Sequence, residues 1–133
     1  MRIFILEDEI HEPGGLDGRH RLKHILRKHE LTLATSRCEG EELYRPGTYD
    51  LMLLDHDLEG RPECRPDYHN TGWQFVKWLV EYETKPVLTI IHSHNYDGGK
   101  KMMDLLTANG WKVERHFYGR VYETALEKQF GEG

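Results

Sequence analysis

Cysteine is almost missing from this chain: Cys38 and Cys64 are the only two in 133 residues. Two distant thiols supply neither a disulfide framework nor the paired spacing of a zinc site, so a reducing, cytoplasmic setting is expected. No apolar run approaches the roughly 20 residues a membrane helix needs. The opening MRIFILEDE turns acidic directly after its short apolar run, which is wrong for a secretory leader. Positive charge is in deficit, 18 basic residues against 23 acidic and a net charge of −5. That argues against broad non-specific binding to duplex DNA. Repeats and low-complexity segments are also lacking. What the chain does have is histidine, nine of them, and their positions carry most of the functional argument.

The length suits one domain, residues 1–133, with a single core. Short apolar runs alternate with longer amphipathic stretches, the pattern of an α/β fold with a parallel sheet. Strands are expected at 3–6, 31–35, 51–54, 87–91 and 111–117. Helices are expected at 17–29, 40–44, 72–83, 99–109 and 120–130, with 59–71 a loop around Gly60, Pro62 and Pro66. Strands one, three and four are continuous apolar runs, as buried central strands are. Strands two and five alternate, as edges do. The order 2-1-3-4-5 satisfies both observations. It is the flavodoxin-like doubly wound arrangement, whose ligand crevice lies at the carboxyl ends of the strands.

Those ends are where the reactive side chains collect. Glu7, Asp8 and Glu9 follow strand one; Asp55, His56 and Asp57 follow strand three; His92, Ser93, His94 and Asn95 follow strand four. Carboxylates about 5 Å apart repel by roughly 3 kcal/mol at an effective dielectric of 20. A cluster of them calls for protons or a cation, unless each merely caps a helix. The expected cofactor is a divalent metal ion held by Glu7, Asp8, Asp55 and Asp57. Oxygen donors favour Mg or Mn, and Zn or Fe enter if His92 and His94 join. Alternation points Asp55 and Asp57 to one side and His56 to the other, so His56 would orient a neighbour rather than react. His92 and His94 point together, as further ligands or as an acid–base pair. Gly98, Gly99 and Lys100 then enter a helix, where backbone N–H groups and the dipole suit a phosphate; the alternative is a flexible turn. Ser93 and Asn95 complete the substrate-binding set. His20 and His24, at i and i+4 in a basic helix without a third ligand, read as a solvated face. Cys64 has no activating neighbour.

These residues resemble the receiver domain of response regulators over nearly the whole chain. Glu7-Asp8 matches its acidic pair and Asp55 its phospho-accepting aspartate. In place of the receiver's strand-five lysine, however, stand Arg115-His116, and strand four ends in histidine rather than a hydroxyl residue. The chain is more specifically similar to a receiver-like family that processes cyclic phosphates, associated with RNA repair and with conflicts between bacteria and phages. The shared signature is Glu7-Asp8, Asp55-His56-Asp57-Leu58, Thr71-Gly72, and His92-Ser93-His94-Asn95 followed by Gly98, Gly99 and Met102.

The resemblance implies a metal-dependent phosphoesterase acting on a cyclic phosphate, either an RNA 2′,3′-cyclic end or a cyclic nucleotide or oligonucleotide. Asp55, His56, His92 and His94 would form its catalytic set. Neither duplex DNA nor a membrane is expected as a partner, and an oligomer is left open. Two rivals stand beside this reading. One is a degenerate receiver module that binds or sequesters the same ligand without breaking it. The other is a true receiver phosphorylated on Asp55.

Overall fold

The computed structural model describes residues 1–7, 28–56, 58, 71–92 and 96–116. Five parallel strands form one sheet, β1 (Arg2–Leu6), β2 (Glu30–Ala34), β3 (Leu51–Leu54), β4 (Leu88–His92) and β5 (Val113–His116), in the order β2-β1-β3-β4-β5. This is the expected doubly wound topology. The apolar strands β1, β3 and β4 are buried along almost their whole length, while β2 and β5 are half-buried at the edges.

Three helices are described: α1 (Arg37–Leu43), α2 (Gly72–Tyr82) and α3 (Tyr96–Ala108). Each begins where a capping group permits, or earlier than apolar periodicity alone suggests. Ser36 caps α1 by accepting from Glu39 N, and Thr71 caps α2 by accepting from Gln74 N at 3.2 Å. Periodicity reads the onset of α3 three residues late, because its first turn holds Tyr96, Asp97 and Gly98 rather than core residues. The helices expected at 17–29 and 120–130 fall outside the described residues, apart from Lys28 and His29, which form a turn into β2.

The sheet separates two apolar clusters. Phe4, Leu6, Met52, Leu54 and Ile91 face α1, α2 and α3 through Phe75, Val76, Leu79, Met102 and Leu106. Phe4 stacks on Phe75, ring centroids 5.5 Å apart, and meets Tyr44 edge-on at 5.2 Å. On the opposite face Ile3, Ile5, Leu51, Leu53 and Ile90 form a second buried set.

One sequence expectation is corrected. Cys38, on α1, is disulfide-bonded, whereas the sequence suggested free thiols. Separation along the chain does not limit proximity in a fold, so the reducing setting inferred from cysteine usage loses its basis. The other cysteine of the chain, Cys64, lies outside the described residues. Among the described residues no helix is long and apolar enough to cross a membrane.

Candidate functional site

Parallel register turns strand alternation into a transverse row. Leu6 pairs with Leu54, and Leu54 with Ile91. The residues one step further on, Glu7, Asp55 and His92, therefore lie side by side. His92 pairs directly with His116 of β5. The ladder continues through both acids: Glu7 N donates to Ala34 O at 3.0 Å and Asp55 N to Leu6 O at 2.9 Å. Glu7 is in phase with Ile3 and Ile5, Asp55 with Leu51 and Leu53, and His92 with Leu88 and Ile90, all on the face of the second cluster. Glu7–Asp55–His92–His116 is thus one line of four ionisable side chains across four adjacent strand ends.

The row is nearly dry. Glu7 is 3% exposed, Asp55 5% and His92 0%. His92 Nδ1 lies 3.6 Å from Glu7 Oε1, an ion-pair separation longer than a hydrogen bond. His116 is half-buried, and its Nε2 lies 3.2 Å from Glu114 Oε1. Two neighbouring carboxylates with so little water need positive charge or a shared proton to coexist. The imidazole of His92 is one such partner, and a cation is another. The alternative that Asp55 is merely a helix cap fails locally, because the capping oxygen of α2 belongs to Thr71.

His56 sits on the opposite side from Asp55, as alternation requires. Its ring lies against the bare backbone of Gly98: a Cβ there would come within 2.5 Å of the imidazole. The first turn of α3 can approach the end of β3 so closely only with glycine at that position. Gly72 does the same for α2. Its N–H donates to His56 O at 2.7 Å, and a Cβ on it would lie 2.0 Å from Asp55 O. The Thr71-Gly72 and Gly98 positions of the sequence signature thus press two helix N-termini onto the Asp55-His56 segment.

The remaining members of the expected site are placed as follows. Gly98 and Gly99 are buried in the first turn of α3. Lys100 is exposed, and its ammonium donates to Asp104 at 2.9 Å one turn along the helix. That bond raises its pKa above the usual lysine value. Asp8, Asp57, Ser93, His94 and Asn95 lie outside the described residues, as do His20 and His24.

His116 is the row member that sequence reasoning left out. It appeared there only as part of what replaces a lysine. The available signal was strand pairing: once β4 and β5 are neighbours with ends aligned, the terminal histidines of both strands must meet.

The donor chemistry bears on a metal. Magnesium typically takes one or two protein carboxylates and completes its shell with water and phosphate oxygens. Glu7 and Asp55 supply such a pair at a dry strand end. Among the described residues no group of three or more His, Cys, Asp or Glu is arranged to enclose a metal ion. The pair fits a cation shared with a ligand rather than a closed protein cage.

The family described as the cyclic-phosphate processing receiver domain matches residues 3–108. No curated protein matches the chain. Among solved structures, the chain resembles the non-phosphorylated HemR receiver domain of Leptospira biflexa, with 22% identity, TM-score 0.63, and coverage of 96% of this chain and 90% of that one. It also resembles a CheY-like receiver domain of Methanospirillum hungatei, with 18% identity, TM-score 0.58, and 99% and 98% coverage. A response regulator of Colwellia psychrerythraea gives 17% identity, TM-score 0.60, and 99% and 98% coverage. At these identities the likeness to solved structures is one of fold.

Proposed function

Because the chain belongs to the cyclic-phosphate processing receiver family, we propose that it is a metal-dependent phosphoesterase that opens a cyclic phosphate on a nucleotide or an RNA end. The observation that carries this reading is the row Glu7–Asp55–His92–His116, which sets two nearly buried carboxylates beside two imidazoles on adjacent strand ends. A phosphorylated receiver has use for the acids but not for the paired histidines.

Ring opening needs three things: charge relief at the non-bridging oxygens, a water that loses a proton as it attacks phosphorus, and a proton for the departing alkoxide. A divalent cation, Mg or Mn by its oxygen donors, would be held by Glu7 and Asp55, with Asp8 and Asp57 completing the acidic set, and would supply the charge relief. The imidazoles handle protons, since their ordinary pKa lies near neutrality. Of the two imidazoles in the row, His116 is the one that solvent reaches. His94, paired with His92 by sequence, joins it in taking the proton from water and giving one to the leaving oxygen. His92, fully buried beside Glu7, balances that carboxylate. His56 packs on Gly98 and so fixes the first turn of α3, where backbone amides meet the phosphate together with Ser93 and Asn95.

The test is turnover. Terminal 2′,3′-cyclic phosphates, cyclic mononucleotides and cyclic oligonucleotides are incubated with the protein, with and without Mn2+. Release of a phosphomonoester from one of these classes, lost on chelation, supports the reading. Ligand that binds but is recovered intact after long incubation makes the domain a binding module instead.

A further inference from the structure

Of the large apolar side chains among the described residues, Tyr96 is the most exposed, at 61%. Its position is not that of a stray surface aromatic. It opens α3 four residues after His92, at the end of the sheet that holds the acid–histidine row. The other strongly exposed tyrosine, Tyr82, ends α2 and already packs against Trp78, ring centroids 4.8 Å apart and tilted by 34°. Tyr96 has a different neighbour. The guanidinium carbon of Arg115 stands 4.6 Å from its ring centroid, and Arg115 Nη2 donates to Tyr96 O at 2.7 Å. Arg115 in turn rests on the bare Cα of Gly99, where a Cβ would come within 2.9 Å of Nε.

The arrangement is a platform with one side already built. A planar cation covers one face of the ring and is tied to the same residue's backbone, so ring and guanidinium are held together at little further entropic cost. With Arg115 on one side of the ring and the residue as a whole 61% exposed, Tyr96 keeps solvent-facing surface for a flat, π-bearing ligand. Arg115 is adjacent in sequence to His116, and consecutive Cα atoms are about 3.8 Å apart. Alternation turns Arg115, which pairs with Ile91, to the α3 face of the sheet, so the platform stands at the same strand ends as the row, on the side of the first turn of α3.

We propose that Tyr96, backed by Arg115, is the base-stacking platform of the site, and that the ligand is a nucleoside cyclic phosphate rather than a base-free cyclic phosphate. This rests on the cyclic-phosphate reading above and adds the part of the ligand that the row cannot recognise. Stacking on tyrosine is tolerant of base identity because every base offers a π-face. The platform selects for the presence of a base, not for its sequence.

Three probes test this by equilibrium binding with Ca2+ in place of Mn2+, a cation of the same oxygen-donor preference, with the probe checked afterwards to be intact. They are 2-aminopurine riboside 2′,3′-cyclic phosphate, followed by its fluorescence; adenosine 2′,3′-cyclic phosphate, by calorimetry; and ethylene phosphate, a cyclic phosphodiester without a base, also by calorimetry. The proteins are the wild type, Tyr96→Phe, Tyr96→Leu and Tyr96→Ala. The expected result is quenching of 2-aminopurine by the wild type and Tyr96→Phe. In the Leu and Ala variants the quench is lost and nucleotide affinity falls about 5- to 150-fold, with ethylene phosphate bound as before. Nucleotide affinity unchanged in both variants overturns the platform while leaving the cyclic-phosphate site intact. An equal loss for nucleotide and ethylene phosphate also overturns it, since Tyr96 would then only position the phosphate site. A wild type that binds none of the three overturns the cyclic-phosphate reading itself, and the platform with it.

Discussion

At the scale of single residues, the close approach of backbones decides more than side-chain identity. Gly72 and Gly98 hold two helix N-termini against Asp55 and His56. For Gly72→Ala the obstacle is a backbone carbonyl that cannot swing aside. About 3 kcal/mol of destabilisation in urea unfolding is expected, at the upper end of overpacking costs. Gly98→Ala meets a side chain instead. The imidazole of His56 can rotate away, so its stability loss should be smaller, while turnover should fall because the first turn of α3 moves. Asp55→Asn should behave in the opposite sense. It removes one of two adjacent buried carboxylates, whose mutual repulsion is on the order of 3 kcal/mol at an effective dielectric of 20. Metal-free stability should rise by some part of that, while turnover is abolished. A variant that melts lower than wild type in chelator and still turns over substrate would show that Asp55 is a structural residue.

Between elements, a polar tie with three donors lies at the far end of the sheet from the site. Glu83 caps the C-terminus of α2 and is 6% exposed. Its carboxylate accepts from Tyr44 Oη at 2.5 Å, Gly47 N at 2.8 Å and Lys85 N at 2.9 Å. Burial alone would raise its pKa, but these donors outweigh burial and hold it below the ordinary glutamate value. Burial, together with the same contact, pushes the Tyr44 phenol far up. A carboxylate whose folded pKa is depressed stabilises the fold fully above its unfolded pKa. That contribution fades as pH falls through the lower, folded value. Glu83→Gln should therefore cost about 1.5–3 kcal/mol at pH 7, the worth of hydrogen bonds to a charged group. The gap between wild type and variant should narrow as pH falls below the ordinary glutamate value and close below the lower, folded value, as followed by urea unfolding at a series of pH values; a gap independent of pH would assign the loss to packing.

Much of this was legible in the sequence. Continuous against alternating apolar runs placed β1, β3 and β4 inside and β2 and β5 outside, because burial on two faces leaves no room for polar residues. Glu7, Asp55 and His92 followed from that order. The Glu83 network was not legible, since two of its three donors lie 36 and 39 residues away in sequence. His116 and the Arg115–Tyr96 pair escaped for the same reason: both are cross-strand or strand-to-helix meetings that exist only once β5 has a neighbour.

For the molecule as a whole, the site and the stability are coupled through charge. If the proposed cation is the partner of Glu7 and Asp55, a sheet that buries both carboxylates is less stable than it could be until that cation binds. Binding that is specific to the folded state returns stability by mass action, about 2.7 kcal/mol at a ligand concentration one hundred times the dissociation constant. Mn2+ or Mg2+ should accordingly raise the melting temperature of the wild type, and chelator should lower it to a plateau set by the metal-free protein. Asp55→Asn should show a flat response, because one of the two described oxygen donors has lost its charge. His116→Ala tests the other half of the row. If His116 moves protons without holding the cation, its variant should keep the full metal-dependent rise in melting temperature while losing turnover. If the metal response vanishes with it, the imidazole is a ligand and the preference shifts from Mg toward Mn, Zn or Fe. A wild-type melting curve indifferent to every divalent ion, alongside an Asp55→Asn protein of unchanged activity, would leave the carboxylates without a cation to hold, and the row would then be explained by the Glu7–His92 ion pair alone.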